Sequence, residues 1–334
     1  MVGSRIGPTG IGFGTGPLGN LYHAMTDAAA EAVLREGHAS GIRYFDTAPF
    51  YGFGLSELRV GRFLRGVARD SFVLSSKVGR YIVPPHGAAF DKGGWAAPLE
   101  LRSVFDYSYD GAMRSIEQSV IRLGFERIDI LLLHDVDRWT FGAAFDRVFA
   151  TAMEGAYRAL AELRDAGHVA AIGVGVNEAD VAAEFIRAGT FDCVMLAGRY
   201  TPLDQTALDE LLPLALSRGV EVLAAGVFNS GILAQSPPYA RPMYNYAPAP
   251  PEIIARASRI AAACAAHGVS PQAAAVQFPR GHPAVKAVVL GLTEPAHVRQ
   301  ALAWRDVDIP PALWRQLKQE GLLRSDVPVP GGKS

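Results

Sequence analysis

The chain has 334 residues, 49% hydrophobic and 19% charged, with a formal net charge of −1. That balance leaves no cationic excess to neutralise nucleic-acid phosphates or to hold an anionic membrane, so a small-molecule partner becomes the default. No apolar stretch approaches the roughly 18 residues of a membrane span, and Met1 to Gly10 lacks the charged, then apolar, then small order of a signal peptide.

In chain order the pattern predicts a strand over Gly10–Thr15, a helix over Asp27–Ser40, a strand over Ile42–Thr47 and a helix over Ser56–Gly66. A strand over Phe72–Lys77 follows, then an irregular stretch from Arg80 to Asp110 rich in Gly, Pro and aromatics. The alternation resumes with a helix over Gly111–Leu123 and a strand over Ile128–His134. Next come a helix over Met153–Ala166, a strand over Val169–Gly175, a helix over Glu178–Ala188 and a strand over Asp192–Ala197. A helix over Asp204–Arg218 and a strand over Val220–Ala225 lead to a second irregular stretch, Ala234–Pro251. A helix over Glu252–His267, a strand over Val285–Leu290 and a helix over Pro295–Trp304 complete eight strand-helix units.

The strands are continuous apolar runs such as "IDILLL" and "VEVLAA", as expected of parallel strands covered on both faces. Several helical segments end in Gly before the next strand, where Gly closes a helix in the left-handed conformation. A doubly wound sheet with a second domain and a closed barrel both accommodate such repeats. With no linker or composition break, a single domain over residues 1–334 with a (β/α)8 TIM barrel fold is favoured. Both irregular stretches then become long loops at the C-terminal mouth, and their aromatics suggest lids rather than linkers. The two cysteines, Cys193 and Cys264, have no disulfide or zinc spacing and read as buried thiols of a reducing compartment, which points to the cytoplasm.

Three motifs compete for a functional reading. "GTGPLG", Gly14 to Gly19, matches a dinucleotide fingerprint by letter, but Pro17 and "NLYHAMTD" stand where a helix must begin at once. A glycine-rich turn near a ligand suits it better. In "LLLHDVD", His134 is followed by Asp135 and Asp137, which invites a metal. The neighbouring strand ends offer Asp46, Lys77 and Asn177, and a lysine there argues against one, so no metal is expected. A lone strand-end His is commonly a hydrogen-bonded structural residue, and the lysine of "VLSSKVG" taken alone is as readily a surface residue. In a barrel, however, Asp46, Lys77 and His134 end three successive strands and converge on one mouth, with Tyr51 on the loop just after Asp46. A lysine ammonium beside a tyrosine hydroxyl favours the phenolate, so a lowered Tyr51 pKa is expected, with Tyr51 as a proton donor or acceptor.

At these residues the sequence resembles the aldo-keto reductase family. "FDTAPFYGFGLSE", "LSSKVG" and "IDILLLHDVD" are similar, in order, to its D-T-A-x-x-Y-G-x-x-x-S-E signature, its strand-end lysine and its D-x-x-x-x-H strand. The resemblance implies a (β/α)8 barrel, a nicotinamide cofactor bound at the mouth and hydride transfer at a carbonyl carbon. Carried over by position, Tyr51 is the general acid/base, Asp46 and Lys77 its tuning pair, and His134 the group that orients the substrate oxygen. Tyr81 and Trp139 are expected beside a sugar or aldehyde substrate.

The implied cofactor contacts are Gly14, Thr15, Gly16, Asp46, Asn177, Phe228, Ser230, Gly291, Thr293, Glu294, His297 and Gln300. Two positions depart from the family pattern: Ala225 stands for the ring-stacking tyrosine and Ala197 for the carboxamide-binding glutamine, with Phe228 and Arg199 as nearby substitutes. Where NADP-preferring members carry Lys or Arg, "VVLGLTEPAHVRQAL" offers Gly291, Glu294 and His297. NAD is thus expected over NADP, because a carboxylate repels a phosphate and accepts from ribose hydroxyls. "AAGVFNSGILA" and "LAGRYTPLDQ" resemble the branch of bacterial NAD-linked sugar and pyridoxal dehydrogenases, which implies oxidation of an aldose to a lactone. The alternatives are pyridoxal oxidation, NADPH-dependent reduction of small aldehydes, and a non-catalytic cofactor-sensing module.

Overall fold

Eight parallel strands close on themselves: β1 Ile11–Gly14, β2 Tyr44–Asp46, β3 Val73–Val78, β4 Ile130–His134, β5 Ala171–Val176, β6 Cys193–Ala197, β7 Glu221–Ala225 and β8 Val285–Gly291. They pair in chain order, with β8 returning to β1, which is the (β/α)8 barrel. This architecture comes from a computed structural model that describes residues 10–331 apart from 88, 89 and 238. Residues 1–9, read above for a leader, lie outside the described residues.

The continuous apolar runs are explained by two separate cores. Tyr44, Ile130, Leu132, Ala171, Cys193, Met195, Leu223, Ala287 and Val289 fill the barrel interior as one cluster. Their alternating neighbours, such as Phe45, Leu131, Leu133 and Ile172, are also buried, in the larger cluster shared with the helices. A strand with both faces covered has no polar alternation to show. Both cysteines are free and buried. Among the described residues no helix is long and apolar enough to cross a membrane.

All eight expected strands are present, within a few residues of their expected ends. The helices needed more correction. Met153–Ala166 is not one helix but the end of Phe145–Glu154 followed by Ala156–Asp165. Gly155 breaks it because its Cα packs against the backbone of residues 107–109, where an added Cβ would sit 2.7 Å from the Tyr107 carbonyl oxygen. Asp204–Arg218 likewise resolves into a 3₁₀ turn, Thr206–Leu208, and the helix Leu211–Arg218, with Pro213 confined to its first turn. The helices Arg138–Phe141, Pro271–Gln277 and Pro311–Gln319 were not anticipated.

The first irregular stretch holds an antiparallel hairpin of Arg80–Val83 with Arg102–Phe105. The second holds a two-residue ribbon, Met243–Tyr244 with Ala247–Pro248. Both follow the C-terminal ends of barrel strands and send residues over the mouth, as lids do.

Candidate active site

The strand ends place Asp46 and Lys77 side by side on β2 and β3. Lys77 Nζ donates to Asp46 Oδ2 at 2.7 Å, to the Thr47 carbonyl at 2.9 Å and to the Tyr51 hydroxyl at 3.1 Å. Both members of the ion pair are 2% exposed. The other Asp46 oxygen accepts from Ser75 Oγ at 2.7 Å, which in turn meets the Tyr44 hydroxyl at 2.8 Å. Each oxygen of the buried carboxylate thereby has a donor, as a tolerated buried ion pair requires.

Tyr51 reaches the mouth because its loop is clamped. The 3₁₀ turn Gly16–Gly19 packs so tightly on it that a Cβ at Gly19 would lie 2.5 Å from the Tyr51 carbonyl carbon. Above the ring, Trp95 lies 6.0 Å away between centroids, held by a backbone bridge to Leu21 and by the Asn20 amide donating to the Ala97 carbonyl at 2.6 Å. The glycine-rich "GTGPLG" is therefore the floor of the tyrosine loop rather than a dinucleotide fingerprint.

His134 ends β4 with its ring edge-on to Tyr51, centroids 6.0 Å apart. Its backbone carbonyl accepts from the Tyr107 hydroxyl at 2.6 Å. Burial, then the charges of Lys77 and Arg80, push the imidazole well below its ordinary value, so it is neutral. For Lys77, burial opposes the charge, but Asp46 and Tyr51 outweigh it and the ammonium is retained. Tyr51 corrects an expectation: burial raises its hydroxyl above the usual tyrosine value, and the opposing pull of Lys77 does not offset it. The resting group is a phenol.

These residues line a cleft of about 530 Å3, the size of small-molecule sites. Its rim divides by strand. The ends of β2 to β5 supply Asp46, Lys77, His134 and, just beyond, Asn177; the contiguous ends of β6, β7, β8 and β1 supply Ala197, Ala225, Gly291 and Gly14. One arc carries the chemistry, and the other ends in small residues, with Met195 and Val289 lining the cleft two residues before the ends of β6 and β8. Phe50, Trp95, Trp139 and Tyr246 add aromatic walls.

Of the expected contacts, Gly14, Gly16, Asp46, Tyr51, Lys77, His134, Trp139, Asn177 and Gly291 line this cleft. Thr15 is buried beneath it, its hydroxyl donating to the Asp46 carbonyl at 2.8 Å. Tyr81 is misplaced in the sequence reading: hairpin alternation buries Arg80 and Ile82 and turns the Tyr81 ring to Arg114, 4.9 Å away. Phe228 and Ser230 are not among the residues that line the cleft; Phe228 packs on Trp304, and Ser230 accepts from the amide of Tyr246, which does line it. Beyond Gly291, Thr293 and the N-cap Glu294 precede the helix Pro295–Asp306, which carries His297 in its first turn and Gln300 in its second. There Thr293 Oγ1 and His297 Nδ1 are 2.9 Å apart, and Glu294 makes no side-chain cap. Arg199 pairs with Asp204 and donates to Asn245 Oδ1 at 2.9 Å.

Asp135 and Arg80 were missed as a unit, although Asp135 stood in the quoted "LLLHDVD". Asp135 pairs with Arg80 at 2.6 Å and Asp137 caps the helix Arg138–Phe141. Among the described residues no cluster of three or more His, Cys, Asp or Glu is arranged to hold a metal.

The Aldo/keto reductase family model matches residues 10–320. The chain is 43% identical over 327 residues to a pyridoxal 4-dehydrogenase of Microbacterium luteolum, and 41% identical over 318 residues to a D-threo-aldose 1-dehydrogenase of a Pseudomonas species. Each match covers 94% of both proteins. Among solved structures, an aldo-keto reductase of Bacillus halodurans in its holo form superposes with a TM-score of 0.72 at 22% identity, covering 95% of this chain and 93% of that one. The last likeness speaks to the fold alone. With the family model spanning the barrel and two relatives above 40% identity end to end, this protein belongs to the aldo/keto reductase family, oxidoreductases that use a nicotinamide cofactor.

Proposed function

We propose that this chain is an NAD-linked dehydrogenase that oxidises an aldose, in its ring form, at C1 to the lactone. The observation that carries the reading is the contact chain from Asp46 through Lys77 to Tyr51, beside a neutral His134 in the aromatic-walled cleft. The relatives named for aldose and pyridoxal oxidation support the direction of the reaction.

The small strand-end residues Ala197, Ala225, Gly291 and Gly14 fit a flat nicotinamide, and the Asn177 amide oxygen, with its Nδ2 3.5 Å from Asp137 Oδ2, would meet the carboxamide. A nicotinamide held there would supply the acceptor for the hydride from C1. Tyr51, in its minor phenolate form stabilised by Lys77, accepts the C1 hydroxyl proton on its oxygen. His134 donates a hydrogen bond to the same substrate oxygen and holds it against Tyr51. Asp46 keeps Lys77 in place and charged. The C1–H and O–H bonds break, a C1=O double bond forms, and the proton and hydride leave by separate routes.

The preference for NAD rests on Glu294, exposed and uncapped at the start of its helix, where a carboxylate accepts from ribose hydroxyls and repels a phosphate. Pyridoxal is the second reading, favoured by the flat walls of Phe50, Trp95, Trp139 and Tyr246. Reduction of small aldehydes with NADPH is a third.

A panel of L-fucose, D-arabinose, L-galactose and pyridoxal, each with NAD and NADP and read by absorbance of the reduced nicotinamide, separates these readings. Tyr51→Phe should lower kcat by about 10²–10⁴-fold while the cofactor Kd moves by less than about threefold. An active Tyr51→Phe enzyme refutes the assignment.

A further inference from the structure

We infer that Asp135 is the specificity residue that recognises the hydroxyl on the carbon next to the reacting one. The inference rests on the aldose reading above and names the substrate group that the cleft selects.

Asp135 lines the cleft directly after His134, and its two oxygens have different environments. Oδ2 accepts from Arg80 Nη2 at 2.6 Å, whereas Oδ1 lies 3.5 Å from His134 Nε2, beyond a good hydrogen bond. The side chain keeps 17% of its surface exposed in a site otherwise walled by rings. One oxygen is thus anchored and the other faces the space beside the histidine that orients the substrate oxygen.

The anchor is itself held in place. Arg80 is 95% buried, at 5% exposure, with its guanidinium between the Phe50 ring at 4.0 Å and the Phe105 ring at 4.3 Å. Its Nε and Nη1 have no hydrogen-bond partner, so the Asp135 carboxylate is its acceptor. Asp135 itself is held at φ 54, a left-handed backbone that side chains rarely adopt, while its amide donates to the Gly175 carbonyl at 2.9 Å. Strain of this kind persists where surrounding structure enforces it, as at ligand-binding positions.

An ionised carboxylate only accepts hydrogen bonds, so its ligand must donate one. The substrate oxygen on the reacting carbon is shared between Tyr51 and His134, which leaves Oδ1 facing the substituent on the adjacent carbon. A neutral hydroxyl satisfies it, a hydrogen leaves it unpaired, and an anionic group is repelled. The substrate class is therefore a sugar with a free 2-hydroxyl, in preference to a 2-deoxy sugar.

The test compares D-arabinose with 2-deoxy-D-ribose, the same sugar without its 2-hydroxyl, on the full-length protein with NAD. The ratio of their kcat/KM values is independent of the active fraction and, compared between enzymes, cancels the intrinsic reactivity of each sugar. In Asp135→Asn the ratio should fall by about tenfold or more relative to wild type, chiefly through loss on D-arabinose. Should Asp135→Asn not fold, Asp135→Gly suits the left-handed backbone and gives the same readout. An unchanged ratio, including an equal loss on both sugars, overturns the inference and makes Asp135 a residue that acts through His134. A wild type that oxidises none of L-fucose, D-arabinose and L-galactose removes the aldose reading and this inference with it; one that oxidises only an L-sugar is put to the same ratio test with that sugar and its 2-deoxy analogue, where an unchanged ratio again overturns the inference.

Discussion

Burial decides the protonation state of Tyr51 more strongly than the lysine beside it. Lys77 stands 3.1 Å from the hydroxyl, yet the group titrates above an ordinary tyrosine because the ring sits in a desolvated corner. The sign of the pH dependence follows. Oxidation needs the base form, which is scarce below the raised pKa, so kcat/KM for oxidation should rise about tenfold per unit between about pH 7 and pH 9. A flat oxidative profile over that range would show that Tyr51 is not the base. Lys77 remains charged throughout, and His134 is already neutral. Asp46, Lys77 and His134 were legible as polar residues closing apolar strands, and Tyr51 by its place just beyond one. The titration of Tyr51 was not legible, because the sequence gives its neighbours but not its depth. Asp135 was equally hidden: its partner Arg80 arrives from a hairpin 55 residues upstream, and no local pattern links them.

At the scale of elements, the strands were legible because a strand covered on both faces announces itself as an unbroken apolar run. The breaks inside helices were not, since Gly155 interrupts one only through its contact with the distant backbone of residues 107–109. The turn Gly16–Gly19 shows the same dependence on tertiary contact. Its glycines match a dinucleotide fingerprint by letter only; Gly14 and Gly16 line the cleft, and Gly19 is required by the backbone of Tyr51. Gly19→Ala should therefore destabilise the fold by about 1–3 kcal/mol in a denaturant titration, and lower kcat as well by displacing the tyrosine. A variant that loses stability with wild-type kcat would separate the turn from the catalytic loop. Tyr81 illustrates the opposite case: its segment places an aromatic near the mouth, but the period-two alternation of its hairpin turns the ring away.

Across the whole molecule, the barrel assigns its two arcs different duties, acid–base residues at the ends of β2 to β4 and small residues at the ends of β6 to β1. Cofactor binding to such a preformed surface should stabilise the folded chain by about 2.7 kcal/mol at a hundredfold excess over Kd. At equal concentrations NAD should therefore raise Tm more than NADP, and Glu294→Lys should reverse that order. Equal shifts for both cofactors in both proteins would refute the role of Glu294. The closed barrel was readable from eight regular repeats, but the division into arcs needs the order of strand ends around the ring. The buried Asp46–Lys77 pair also constrains how this sequence can diverge. Losing one partner strands a buried charge at a cost of about 3–5 kcal/mol, a large share of the ~5–15 kcal/mol that a folded chain has in all. Tyr51 can become Phe without leaving a charge behind. A lineage released from selection for turnover should thus discard its tyrosine early and keep the ion pair long afterwards, as an inherited trace of the lost reaction.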